Sequence, residues 1–124
     1  MQGRNYLRTH TLKSEQLLID LGEAAVELHG EASGQDRRSV TLIRESGLSV
    51  VLLHLHAGAI LDEHAAPGAV TVQVIDGHAR ARAGNESIDL PAGRLVAFDA
   101  NVRHTVEAVD DSTILITLAD PKAP

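Results

Sequence analysis

The sequence predicts a mainly β jelly-roll barrel preceded by one α-helix, and three observations predict it. From residue 39 onward, short β-branched runs alternate with breaks rich in Gly, Pro, Asn and Asp, and this texture persists almost to the end. The runs, about eight in number and evenly spaced, suit two packed or rolled-up antiparallel sheets in a single 124-residue domain. Ahead of them, Leu17, Leu21, Ala25, Leu28 and Ala32 recur at helical spacing.

Residues 1–13 show no periodicity and read as an arm that orders against a neighbour or a partner chain. The helix starts best at Asp20, whose carboxylate can accept first-turn amide protons, with Glu23 three residues on completing a capping-box pattern. Gly34 can end it, and Gly22 and Gly30 weaken it, so it must lean on its apolar stripe and cover a sheet edge or a barrel mouth. Residues 1–38 thus form arm and helix, 39–119 the barrel and 120–124 a loose tail.

The strands are expected at 39–44, 49–57, 69–75, 78–83, 86–90, 94–98, 103–109 and 113–118. Asp76-Gly77 is the sharpest hairpin signal, of the type that needs positive φ at both central residues. In 78–83, Arg80 and Arg82 alternate with Ala79, Ala81 and Ala83, so the arginines lie on a solvated face with the alanines inward. An inward arginine pair would instead make an anion site. Asp62-Glu63 and Asp110-Asp111 fall in expected turns as solvated charge.

Composition narrows the function classes. A net charge of −6 repels a phosphate backbone, which argues against nucleic acid as a partner. No apolar run nears the roughly 20 residues that span a bilayer, and the opening lacks a signal-peptide core, so a cytoplasmic protein without a membrane partner is expected. Cysteine is absent, which removes thiolate metal ligands and thiol nucleophiles. Tyr6 and Phe98 are the sole aromatic residues besides histidine, so a pocket here should be aliphatic. No serine elbow or phosphate-binding glycine loop is present, leaving histidine as the credible acid or base.

Two segments, Gly58 to Gly77 and Gly93 to His104, each place a glycine ahead of a histidine. Their spacing resembles the paired motifs of the cupin superfamily, with Gly58, His64 and Gly77 in register in the first and Gly93 and His104 in the second. The short spacer between Gly77 and Gly93 is like that of small bacterial single-domain, RmlC-like cupins. The resemblance covers roughly residues 48–119 and implies a double-stranded β-helix. In the family, three histidines and a glutamate hold one divalent metal inside the barrel. Here the second histidine position is Ala66 and the glutamate position Val70, while the proline, glycine and asparagine positions of the second motif are Asp99, Asn101 and Ala108.

The resemblance implies that His64 and His104 face the barrel cavity, with Val70, Val72 and Val74 along its wall as ligand-binding residues. His54 and His56 project to one strand face, opposite Val51, Leu53 and Leu55. Turned inward, that face would join His64 and His104 in an all-histidine site for Zn, Ni, Fe or Cu. Turned outward, it would be satisfied by water, the arm or a neighbouring subunit. His10, His29 and His78 have no motif company and read as surface residues. Three functions follow as expectations. The first is binding of a small, mostly apolar molecule, anchored by His64 and His104. The others are a metal-dependent dioxygenase or isomerase, and a non-enzymatic sensor or dimerisation domain, with a homodimer expected throughout.

Overall fold

The structure, a computed structural model, describes residues 7–12, 16–32 and 34–119, with the backbone alone at Glu63 and His64. Residues 1–6 and 13 of the expected arm, and the expected tail at 120–124, lie outside the described residues. Helix α1 spans Leu21–Glu31, and Asp20 caps it as expected, its side chain accepting the Glu23 amide proton at 3.0 Å. The strands that follow are β1 (Arg37–Glu45), β2 (Leu48–Leu55), β3 (Ile60–His64), β4 (Val70–Asp76), β5 (His78–Ala83), β6 (Glu86–Pro91), β7 (Leu95–Phe98), β8 (His104–Ala108) and β9 (Ser112–Ala119).

They form a five-stranded sheet in the order β1-β2-β9-β4-β7 and a four-stranded sheet in the order β3-β8-β5-β6, antiparallel throughout. The strands follow the sequence expectation closely, with one addition. β3 falls where the sequence suggested a turn at Asp62-Glu63, because its pairing with β8 comes from a distant segment that no local signal announces.

The inner faces of both sheets share one apolar core. Leu53, Leu55, Val70, Val72, Val74, Phe98, Ile114 and Ile116 come from the larger sheet, and Ala79, Ala81, Leu90, Val106 and Ala108 from the smaller. Alternation explains the selection, since every second residue of a strand turns to the same face. Ala79 and Ala81 are fully buried while Arg82 is exposed, so the arginines of β5 lie outward as expected.

A second core packs Ala24 and Leu28 of α1 against Leu42 and Leu52, with Val40, Ile43, Ile75 and Leu115 around them. The helix therefore covers the outer face of the larger sheet, which corrects the expectation of a sheet edge or barrel mouth. The physical reason is that Leu42, Leu52 and Leu115 face away from the barrel and need a partner. No described helix is long and apolar enough to cross a membrane.

Two further expectations are corrected. His10 is buried, not at the surface. Its backbone N–H and ring Nδ1–H both donate to the Leu42 carbonyl, at 2.7 and 2.9 Å, and its own carbonyl accepts from Arg44. Over residues 7–12 the opening segment thus lies along β1 of its own chain, covering an edge that would otherwise be open. Asp76-Gly77 is not a hairpin, because β4 pairs with β7 and β9 whereas β5 pairs with β6 and β8.

Gly77 instead carries the chain from one sheet to the other. Its φ is +95°, and a Cβ there would stand 2.2 Å from the Asp111 carbonyl oxygen. The crossing is fastened by the buried hydroxyl of Ser112, which accepts the His78 amide proton at 3.0 Å and lies 3.0 and 2.8 Å from the His78 and Asp110 carbonyls.

Candidate functional site

The two motif histidine positions come together. β3 and β8 run antiparallel with His64 opposite His104 in the ladder. His104 is 1% exposed, its Nδ1 3.0 Å from the Val102 carbonyl. A carbonyl can only accept, so in the neutral ring Nδ1 carries the proton. The imidazole lies flat on Phe98, ring centres 4.4 Å apart and planes 4° from parallel. Phe98 in turn stands opposite Val70 across the β4–β7 ladder. Val70, Val72 and Val74 are all inward and no more than 2% exposed, so they are packed core wall.

The loop before β8 keeps its shape without the usual motif residues. Asn101 takes φ +66°, the left-handed region where the motif has glycine and which asparagine tolerates better than most residues. Its N–H donates to the Ala66 carbonyl at 2.8 Å, tying this loop to the segment after β3.

An accessible space opens elsewhere, between the edge strands β1 and β3. This crevice of about 440 Å³ is lined by Val51, Leu53, Leu61 and Ile116 below and by Arg37, Arg38 and Ser39 of β1. Arg38 is already engaged, with one guanidinium nitrogen 2.9 Å from Glu31 and another 2.7 Å from the Ser39 carbonyl. Arg37 is exposed. Sequence reasoning missed this site. Its available signal was the apolar face of Val51 and Leu53, which the reading set aside in favour of the histidines on the other face.

His54 and His56 stand on that other face. Leu53 and Leu55 enter the barrel core, so His54 turns outward under α1, and the inward all-histidine arrangement is corrected. Leu28 and Leu52 lock this choice by packing helix against strand. His54 is 2% exposed, its ring meets those of His29 and His56 edge-on, and its Nδ1 is buried with no hydrogen-bond partner among the described residues. Burial first, then the neighbouring His29 and His56, hold the His54 imidazole below its ordinary pKa.

Asp111, expected as solvated charge, accepts the Ala57 amide proton at 2.8 Å and lies 3.2 Å from His56 Nδ1. These two contacts, the amide first, hold its carboxyl below the usual range. His29 too has company that the sequence did not suggest. So has His78, whose Nε2 lies 2.5 Å from Asp89.

Solved structures of similar fold bear on the architecture. A cupin superfamily protein from Desulfitobacterium hafniense matches with a TM-score of 0.65 at 17% identity, over 67% of this chain and 76% of that one. The fold is that of the cupins. A conserved protein from Streptococcus pyogenes matches over 98% of this chain and 99% of its own, with a TM-score of 0.70 at 21% identity. A salicylate 1,2-dioxygenase variant from Pseudoaminobacter salicylatoxidans matches at 17% identity with a TM-score of 0.67, over 81% of this chain and 32% of that one. No protein-family model matches the chain, and no curated protein does.

The metal centre implied by the cupin fold does not fit the residues here. By the motif register read from the sequence, two of its ligand positions hold Ala66 and Val70, and both residues are buried in the barrel core. The one carboxylate of the set is thereby replaced by an apolar contact beside Phe98. Two imidazoles without an anionic ligand do not make the family's centre.

Proposed function

We propose that this cupin binds a small molecule with an apolar body and an acidic end, seated in the crevice between β1 and β3. One observation carries the reading. The floor of Val51, Leu53, Leu61 and Ile116 is wholly aliphatic, while Arg37 and Ser39 stand at its rim. A space of about 440 Å³ is of the size that holds small ligands. Apolar burial supplies most of the affinity, and a guanidinium at the rim supplies orientation through charge-assisted hydrogen bonds. With Arg38 held by Glu31, Arg37 is the group that meets the acid. Arg37 and Ser39 thus take the anchoring role that the sequence suggested for His64 and His104, and Val51, Leu53, Leu61 and Ile116 take the lining role suggested for Val70, Val72 and Val74, which are packed core.

The test uses octanoate and octanol as matched probes in calorimetry and dye-monitored melting. Octanoate should bind saturably and raise Tm, octanol should bind more weakly, and Arg37→Ala should abolish the difference between them. Leu53→Trp should fill the floor and block both. If neither octanoate, decanoate nor benzoate binds, or if Leu53→Trp binds as well as the parent, the reading fails.

A further inference from the structure

On the opposite side of the larger sheet lies a second crevice, of about 410 Å³, lined by His29, Gly30, Ala32, Gly34, His54, His56 and Asp111. It shares no residue with the crevice between β1 and β3. We propose that it is a divalent transition-metal site, with His29, His54 and His56 as ligands and Asp111 as the residue that positions His56.

Four features of the crevice support this. The ring centres of His29 and His54 are 5.0 Å apart and those of His54 and His56 5.5 Å apart. Two imidazoles on one tetrahedral ion, with metal–nitrogen bonds of about 2 Å, hold their centres about 5 Å apart. His54 therefore already stands at the spacing of a co-ligand from each of its two neighbours. Their nitrogens do not yet converge, since among the described residues no three such donors surround one point. A half-turn of an imidazole exchanges its nitrogen and carbon edges without changing its shape. For His54 that turn breaks no hydrogen bond at Nδ1, because that atom is buried with no hydrogen-bond partner. His29 is exposed, so its ring can rotate to meet an ion, while the 38% exposed His56 side chain keeps Nδ1 on Asp111 and has Nε2 left for the metal.

Asp111 supplies the second feature. It lies 3.2 Å from His56 Nδ1 and is itself fixed by the Ala57 amide. A carboxylate on one imidazole nitrogen fixes the tautomer that leaves the other nitrogen as a donor to metal, and makes it more basic. The third is charge. Asp111 adds an anion at the crevice, and the C-terminal turn of α1, with Gly30 and Ala32 on the lining, brings the negative end of the helix dipole. The fourth is chemistry. Imidazoles suit Zn, Ni and Cu over Mg or Ca.

Calorimetry with Zn²⁺ and Ni²⁺ on the tag-free full chain tests the site. One ion should bind per chain. The exposed-side double variant His29→Asn, His56→Asn should abolish saturable binding, with an unchanged circular dichroism spectrum showing that the fold is intact. Asp111→Asn should keep the stoichiometry and weaken binding by about tenfold. His104→Gln should change nothing. Absence of binding by the parent overturns the proposal. So does binding that survives the double variant, or binding that is lost in His104→Gln.

Discussion

Phe98 and His104 lie face to face, 4.4 Å apart and 4° from parallel, although β7 belongs to the larger sheet and β8 to the smaller. The pair is one of the points where the two inner faces meet, and it sits beside Val70, where the cupin motif places a carboxylate. An aromatic ring and a valine here give the site packing where the family places a charged ligand. Phe98→Ala should cost about 3–5 kcal/mol, because it removes the ring that covers His104 and leaves a cavity between the sheets. Phe98→Leu should cost under about 2 kcal/mol. Urea unfolding curves distinguish the two.

Gly77 allows no side chain. A Cβ would stand 2.2 Å from the Asp111 carbonyl oxygen and 2.8 Å from Ser112 Cα, and both are backbone atoms that cannot swing aside. Gly77→Ala should destabilise by more than about 2 kcal/mol, well beyond a helix-surface Gly→Ala change. Gly30→Ala in α1, where nothing lies within 4 Å, provides the contrast and should stabilise slightly. The urea midpoint reads both.

Asn101 should be replaceable by glycine and by little else. Its φ of +66° suits Asn and Gly, so Asn101→Gly should be within about 0.5 kcal/mol of the parent, while Asn101→Ala should cost about 1 kcal/mol. The same unfolding series checks this. Larger losses for glycine than for alanine would show that the side chain, not the backbone angle, matters here.

Acid sensitivity should have an identifiable contribution from Asp89. The hydrogen bond from His78 is the largest of the causes that hold its carboxyl below the ordinary value. A carboxyl with a depressed folded pKa adds stability above its unfolded value, and the addition is lost as pH falls through the lower folded value. Asp89→Asn should therefore lower Tm above about pH 4, with the difference shrinking toward about pH 2. A difference constant across that range would refute the assignment.

Most of the fold was legible because alternation and turn chemistry are local. Asp20, the strand runs and the motif glycines could all be read from their neighbours in sequence. What was not legible depends on distant partners. β3 is short and half charged, and only its pairing with β8 makes it a strand. Asp76-Gly77 has hairpin chemistry, yet no local signal distinguishes reversing direction from changing sheet. The site suffered most from the same limit. Alternation put His54 and His56 on one face but could not say which face, and that was decided by Leu28 packing on Leu52. The crevice at Arg37 joins β1, β2 and β3 to the distant β9, so no motif could mark it.

β9 lies in the middle of the larger sheet, between β2 and β4, although it is the last strand of the fold. On the ribosome, a nascent chain ending before Ser112 has β2 and β4 with no strand to join them, and the Ser112 hydroxyl that fastens the sheet crossing is not yet made. The helix and the β1–β2 hairpin can form early, but the barrel closes only after residues 112–119 have been synthesised. Until then, its apolar strands are exposed to chaperones and to one another.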